Sequence, residues 1–295
     1  MHLIGPTRRA LLAGALSGAL AGCAHQTPGD RMAIGLQLYT LLAETRSDPS
    51  GTLRRVKAYG VQDVEILYGV HTEAPFIAAL AEAGLRARSI HARATVLSTT
   101  PDQVFARAAE LGVDWVVCPT PLTPAHPAPG AQTPFEGLTA QEWRSLAQSL
   151  NDWGRRARAS GVRFAYHNHD FDYARIDGTP ALHRLAEWTD PALVAFELDC
   201  GWAAAGGFDP ASEIRRLGQR CRMVHIKDVS PRVGARWQPV PLGEGVVDFR
   251  PILRAAAEVG VQFGFVEQDP PFSRPVFDCL DTSFAYLRTL GALQS

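Results

Sequence analysis

The feature that most constrains the fold is a regular alternation of short β-prone runs and amphipathic helical stretches, repeated eight times from Ala33 onward. The predicted strands are Ile34–Tyr39, Asp63–Ile66, Arg86–His91, Trp115–Cys118, Arg163–His167, Val194–Asp199, Met223–Lys227 and Phe263–Glu267. The main predicted helices are Thr52–Tyr59, Pro75–Ala83, Pro101–Leu111, Ala140–Ser160, Thr179–Thr189, Asp209–Gly218, Phe249–Val259 and Val276–Leu290. Several helices are followed by a glycine just before the next strand, which ends a helix at low cost because glycine tolerates positive φ.

Eight strand–helix repeats, each long enough for a right-handed crossover, predict an α/β fold of one domain, a parallel (β/α)₈ TIM barrel over residues 33–295. The competing open doubly wound sheet usually carries a glycine-rich phosphate turn after its first strand, and Leu38-Tyr39-Thr40-Leu41 is not such a turn. A formal net charge of -1 provides no broad basic surface. We therefore do not expect nucleic acid as a partner.

The first 23 residues have the pattern of an export signal. Thr7-Arg8-Arg9 precedes an apolar run that is too short to span a membrane, and the paired arginines resemble a twin-arginine signal. Leu20-Ala21-Gly22-Cys23 resembles a lipobox, which implies cleavage before Cys23 and lipidation of its thiol; the alternative is a signal peptide with an incidental cysteine. Residues 24–32 then form a polar tether. The prediction is an exported protein on the periplasmic side, held to the membrane by a lipid anchor.

Polar side chains stand at the ends of the last four predicted strands. They are His167, Asp199, His225 and Glu267, and their separations of 32, 26 and 42 residues each correspond to about one strand–helix unit. In a barrel this spacing brings them to one rim, where two imidazoles and two carboxylates suit one divalent cation such as Mn²⁺, Mg²⁺, Co²⁺ or Zn²⁺. The alternative is four polar groups that pair among themselves.

Strand alternation predicts which neighbours face the same pocket. His169 and Lys227 share faces with His167 and His225, and Glu197 lies one layer deeper than Asp199. The candidates for substrate contact are Tyr39, Glu65, His91 and Trp202, the last as an aromatic floor for a sugar ring. Two long segments after strands, Pro119 to Leu138 and Val229 to Val247, are predicted pocket walls, with surface loops as the alternative.

Five motifs carry a family resemblance: YHNHDFDY, ELDCGWAAAGGFDP, VHIKD, PLGEGVVDF and FVEQD. Together they resemble the sugar phosphate isomerase/epimerase family of xylose-isomerase-like barrels, over roughly Ala33 to Leu290. The resemblance implies one metal ion held by His167, Asp199, His225 and Glu267. Related tagatose-type epimerases have a glutamate where His167 stands, and they use two opposed glutamates as acid and base. Here an imidazole replaces one of that pair.

The expected chemistry is proton abstraction beside a ketone through an enediolate, which is sugar isomerisation or epimerisation. Glu267 is the candidate base; His169, His91 or Glu65 supplies the complementary proton, and Lys227 holds the oxyanion. The substrate expected outside the cytoplasm is a free ketose, inosose or keto-sugar rather than a sugar phosphate.

Other functions remain open from the sequence. The same enolate chemistry serves a keto-glycoside lyase or hydrolase, and a non-catalytic sugar-binding lipoprotein is the alternative of another class. An abasic-site endonuclease is disfavoured because the fourth strand ends Val117-Cys118-Pro119, without its extra metal ligands. Disulfides among the cysteines after Cys23 are permitted in an oxidising compartment, and buried free thiols are at least as compatible with their positions.

Overall fold

The structure is a computed structural model, and it describes residues 32–122, 133–231 and 237–293. The signal sequence, Cys23 and all but the last residue of the tether lie outside the described residues, so the predicted lipid anchor stays a prediction. In the described part of the chain, no helix has the length and apolar character needed to cross a membrane.

Eight parallel strands close into a barrel, which confirms the predicted fold. They are β1 Ala33–Gln37, β2 Asp63–Leu67, β3 Arg86–His91, β4 Trp115–Cys118, β5 Arg163–His167, β6 Ala195–Asp199, β7 Cys221–Ile226 and β8 Phe263–Val266. Each strand pairs with the next one in the chain, and β1 closes the ring by pairing with both β2 and β8. All the carboxyl ends of the strands therefore meet at one rim, where barrel enzymes carry their sites.

A helix follows each strand and covers the outside of the barrel. These helices are Pro49–Ala58, Ala74–Glu82, Pro101–Glu110, Ala140–Ala159, Ala181–Trp188, Pro210–Leu217, Phe249–Val259 and Val276–Thr289. Three short helices lie between a strand and its main helix: Leu42–Ser47, Ala94–Thr99 and Cys200–Ala205. Short 3₁₀ turns span Leu38–Leu41, Asp170–Tyr173 and Gly218–Arg220. Two short antiparallel pairs join Arg175–Ile176 to Thr179–Pro180 and Asp228–Val229 to Pro239–Val240.

Local sequence explains where these helices begin and end. Ala140–Ala159 starts with a capping box, in which the Thr139 side chain accepts from the Glu142 backbone and the Glu142 side chain accepts from the Thr139 backbone. Phe249–Val259 ends at Gly260, whose φ of 78° is left-handed. The other predicted helix-ending glycines also have positive φ: Gly60, Gly84, Gly112 and Gly161.

Three strands are shorter at their carboxyl ends than the sequence predicts. Tyr39, Lys227 and Glu267 were expected inside strands, but β1, β7 and β8 end before them. After β1 the Gln37 side chain accepts from the Tyr39 backbone N–H at 3.0 Å, which turns the chain into a 3₁₀ helix. Tyr39 is therefore in the 3₁₀ helix, Lys227 and Glu267 are in the segments that follow their strands, and strict alternation of faces does not apply to these three side chains.

The core has two apolar clusters. The smaller one is formed by residues of four strands, β4, β5, β7 and β8: Trp115, Val117, Ala165, Met223, Phe263 and Phe265. The larger apolar core lies between the strands and the surrounding helices. Four cysteines, Cys118, Cys200, Cys221 and Cys279, are buried free thiols, as one of the two sequence interpretations expected. The remaining polar interior forms the candidate site.

Candidate active site

The predicted quartet lies at the carboxyl rim; we call His167, Asp199, His225 and Glu267 the upper layer. All four side chains are buried. Their ligand atoms face one another: His225 Nδ1 lies 2.9 Å from Glu267 Oε2 and 3.7 Å from Asp199 Oδ2, and His167 Nε2 lies 3.8 Å from the same Asp199 oxygen. Strands β5 to β8 thus bring together four residues that are separated by 100 positions of sequence.

A second set of polar groups lies directly beneath; we call Glu65, His91 and Glu197 the deeper layer. Glu197 Oε2 lies 2.8 Å from His91 Nε2, 3.0 Å from His167 Nδ1 and 3.2 Å from His225 Nε2. Glu65 Oε2 lies 2.7 Å from His225 Nε2 and 2.9 Å from His91 Nε2. Gln37 Nε2 donates to Glu65 Oε2 at 2.6 Å, and the Ser89 hydroxyl donates to its other oxygen. Hydrogen bonds thus connect the deeper layer to both imidazoles of the upper layer.

The stagger of the barrel strands explains the two layers. His167 is in register with Glu197, whereas Asp199 is in register with His225 on the next strand. Glu197 therefore lies two residues below Asp199 on the same face of β6, as strand alternation predicted. Each of the two imidazoles in the upper layer therefore has one ring nitrogen that faces the carboxylates of the upper layer and one that faces the deeper layer.

Lys227 places a buried positive charge beside the upper layer. Its Nζ lies 2.7 Å from Glu267 Oε2, 2.9 Å from Asp199 Oδ2 and 2.7 Å from Asp269 Oδ2, to which it donates a hydrogen bond. The ammonium also lies 4.9 Å from the centroid of the Trp202 ring. Burial alone would lower the pKa of Lys227, but the three carboxylates raise it well above its ordinary value, so the side chain is charged.

Electrostatics give the two upper imidazoles different protonation states. Burial, together with the charge of His225, lowers the pKa of His167 to about 3, so this ring is neutral. Burial also disfavours the charged form of His225, but Glu197 and Glu267 outweigh it and raise its pKa well above the ordinary value. Burial raises the pKa of Asp199 to about 6. A neutral imidazole and a carboxylate without a proton are the forms that bind metal ions.

The upper layer fits a divalent cation. The ligand atoms of Asp199, His225 and Glu267 all lie within 4.8 Å of one another, and those of His91, His167, Glu197 and His225 form a second such group. Asp199 Oδ2 is buried, makes no hydrogen bond of good geometry to the described residues, and lies 2.9 Å from the Lys227 ammonium. Carboxylate oxygens and imidazole nitrogens are the atoms that such cations bind in proteins. The cluster can therefore hold a metal ion.

A cavity of about 730 Å³ opens above these layers at the carboxyl rim. Six of the residues singled out from the sequence line it: Tyr39, His91, His167, His169, Trp202 and Glu267. Both long loops also contribute, through Pro119 and Thr120 on one side and Trp237, Gln238 and Pro239 on the other. These five residues of the two loops thus form part of the cavity wall.

Four of the predicted site residues are not among the described residues that line the cavity: Glu65, Asp199, His225 and Lys227. Glu65 lies in the deeper layer, and the Lys227 ammonium is paired with Glu267, Asp199 and Asp269. His169 is past the end of β5, with its ring stacked on Phe171 and 5.9 Å from Trp202 between centroids. Burial lowers the pKa of His169 well below its ordinary value, so a neutral ring meets the cavity.

Sequence reasoning missed Asp269 as a site residue. It lines the cavity, accepts from Lys227, and burial raises its pKa. Its position two residues after Glu267 in the FVEQD motif was the available signal. Three further residues line the cavity from the segments that follow β1, β2 and β3: Arg46, Tyr68 and Arg93. No sequence motif identified these residues as part of the site.

Comparisons with known proteins agree with the barrel fold. A family model described as xylose isomerase-like TIM barrel matches residues 53–267. An inosose dehydratase from Clostridium tetani is 29% identical over 159 residues, which are 47% of this chain and 52% of that protein. The chain thus spans about half the length of the curated relatives that it matches.

Solved structures give the same fold over nearly the whole chain. A sugar phosphate isomerase/epimerase from Parabacteroides distasonis superimposes with a TM-score of 0.70 at 26% identity, covering 94% of this chain and all of that one. A 3-keto-D-glucoside 4-epimerase from E. coli superimposes with a TM-score of 0.66 at 17% identity, covering 88% of this chain and all of that one. The second likeness is one of fold alone.

Proposed function

Because the chain belongs to the xylose isomerase-like TIM barrel family, we propose that it is a divalent-cation-dependent sugar isomerase or epimerase. It removes a proton from the carbon next to a ketone and returns one through an enediolate. The substrate class is a free ketose, an inosose or another keto-sugar. The observation that carries the proposal is the convergence of Asp199, His225 and Glu267, with His167 beside them, next to a cavity that His167 and Glu267 line.

The upper layer would hold the cation, and each residue type there suits that role. A bound divalent cation would polarise the ketone as a Lewis acid and lower the cost of enediolate formation. His167 and His225 offer ring nitrogens, and Asp199 and Glu267 offer carboxylate oxygens, which is a mixed set that Mn²⁺, Co²⁺ and Zn²⁺ accept.

Glu267 is the proposed proton acceptor because it is both in the upper layer and on the cavity wall. Burial alone would raise its pKa, but the charges of Lys227 and His225 lower it well below the ordinary value, which keeps the carboxylate ionised at neutral pH. His91 reaches the same wall, and although burial alone would lower its pKa, Glu65 and Glu197 raise that pKa to about 9, so it carries a proton and is the proposed partner that returns one. His169, a neutral ring on the same wall, is the proposed N–H donor to the oxygen that gains charge.

The remaining predicted roles follow from position. Tyr39 and Trp202 are the proposed sugar-contacting residues of the cavity wall. Glu65 acts on the site through His225 and His91 rather than through the sugar. The positive charge of Lys227 is proposed to stabilise an oxyanion of the substrate. Because Lys227 contacts Glu267 and Asp199, this effect would act through space rather than by direct contact.

Elimination is the second candidate reaction, since a relative of 29% identity is an inosose dehydratase and dehydration next to a ketone proceeds through the same enolate. On a keto-glycoside the same step would expel the aglycone, which is the activity of a lyase, and addition of water would complete a hydrolase. The proposed location is the periplasmic side of a membrane, through a lipid on Cys23.

Deuterium exchange distinguishes these functions. We expect Mn²⁺-loaded protein to introduce deuterium next to the carbonyl of at least one ketose, inosose or keto-glycoside in D₂O, as followed by proton NMR. An isomerase or epimerase also yields a new sugar isomer, whereas a lyase yields an unsaturated ketone and a free aglycone. A protein that binds these sugars and exchanges no proton in any of them is a sugar-binding lipoprotein, and the proposal is then wrong.

A further inference from the structure

The deeper layer determines which nitrogens of the two upper imidazoles carry protons. An ionised carboxylate can only accept hydrogen bonds, so a ring nitrogen at hydrogen-bond distance from it must be an N–H donor. His167 Nδ1 lies 3.0 Å from Glu197 Oε2, and His225 Nε2 lies 3.2 Å from that oxygen and 2.7 Å from Glu65 Oε2. Both of these nitrogens are therefore donors to the deeper layer.

The other nitrogen of each ring faces the upper layer. His167 Nε2 points toward Asp199 Oδ2 at 3.8 Å, and His225 Nδ1 lies 2.9 Å from Glu267 Oε2. Because the deeper layer holds the first proton of each ring, the lone pair of His167 Nε2 is free for a cation, whereas His225 Nδ1, which faces ionised Glu267, would release its proton when a cation binds. The deeper layer thus orients both imidazoles for one position between Asp199 and Glu267.

Glu197 is the common partner in this arrangement. It is fully buried, its Oε2 faces three imidazoles, and its Oε1 has no hydrogen-bond partner among the described residues. A buried carboxylate with an unsatisfied oxygen is costly, and packing of the barrel interior does not require one. Its position at this point fits a role in holding the histidines.

We propose that Glu197 is a positioning residue that fixes the tautomer and ring orientation of His167 and His225, and thereby sets the affinity of the upper layer for a divalent cation. This inference rests on the proposed function. Carboxylates that hold metal-binding histidines in this way typically contribute 10- to 100-fold to metal affinity. Glu65 supports the same arrangement through His225.

The test is the Mn²⁺ affinity of Glu197→Gln, measured by calorimetry on the otherwise unchanged chain. A glutamine has one carbonyl oxygen that can accept from a ring N–H, but its N–H₂ group is a donor and cannot pair with a second ring N–H. Because the two imidazoles would then be oriented less well, we expect roughly 10- to 100-fold weaker Mn²⁺ binding. The matched control is Glu213→Gln, because Glu213 is also buried and also contacts an imidazole, His183 Nε2 at 2.7 Å, on the outer helices. This control should bind Mn²⁺ like the wild type, and equal affinity in Glu197→Gln would overturn the inference.

A second measurement needs neither metal nor a variant. Nitrogen-15 NMR of the metal-free wild type should show the proton of neutral His167 on Nδ1 rather than on Nε2. A proton on Nε2 would overturn the inference, whether or not the protein binds Mn²⁺. A wild type that binds no Mn²⁺ but has the Nδ1 tautomer would contradict the proposed function and leave the role of Glu197 in orienting His167 intact.

Discussion

Glu267→Gln is expected to lower kcat by about 10²- to 10⁴-fold on whichever keto-sugar the protein converts, which is the usual contribution of a positioned general base. The substitution keeps the shape of the side chain and removes its ability to accept a proton. Glu267 is suited to this test because it lies both on the cavity wall and 2.9 Å from His225 Nδ1. Steady-state kinetics on the Mn²⁺-loaded enzyme give the result.

The control for this variant is Glu244→Gln. Glu244 is an exposed carboxylate that pairs with Arg274 at 2.8 Å and does not line the cavity, so its loss should leave kcat unchanged. The metal content of Glu267→Gln, measured on the same sample, separates the two roles: full metal with little turnover indicates the base, and lost metal indicates the ligand. Wild-type turnover in Glu267→Gln would exclude both.

Lys227→Met is expected to lower the free energy of unfolding of the metal-free protein by about 3–5 kcal/mol, the typical cost of removing one partner of a buried ion pair. The ammonium is 1% exposed and faces three carboxylates, which would be left without their nearest positive charge. Added Mn²⁺ should recover part of the loss, because a cation in the upper layer supplies the missing charge and stabilises the folded state by binding it. Urea denaturation with and without Mn²⁺ measures both effects.

The chain provides a matched control, since its only other lysine is Lys57. Lys57 Nζ donates to the Gly84 carbonyl at 2.8 Å on the surface, and Lys57→Met should change stability by about 0.5 kcal/mol or less. If Lys227→Met were as stable as Lys57→Met, the charge balance described for the upper layer would be wrong.

The barrel was predictable because its signals are local and repeated. Strands such as Arg163–His167 and Trp115–Cys118 have the bounds that their sequence predicts, and Gly260 ends its helix as expected. The convergence of Asp199, His225 and Glu267 was also predictable, because parallel strands place their last residues at one rim.

The sequence did not show how far below the carboxyl rim each polar side chain lies. The register between β5 and β6 pairs His167 with Glu197 rather than with Asp199, and such a stagger is set by barrel closure rather than by any one strand. Glu65, predicted to contact substrate, is at the middle of β2 rather than at its end, and it lies in the deeper layer. Asp269 was missed for a related reason, because it follows the strand end and its side chain is placed by a loop.

The position of the cation is the central claim, and anomalous diffraction from crystals grown with Mn²⁺ tests it most directly. We expect one peak at roughly 2.0–2.3 Å from His167 Nε2, Asp199 Oδ2, His225 Nδ1 and Glu267 Oε2, after small shifts of these side chains. A peak bounded by other residues, or no peak in crystals of a protein that is active on a keto-sugar, would contradict the account.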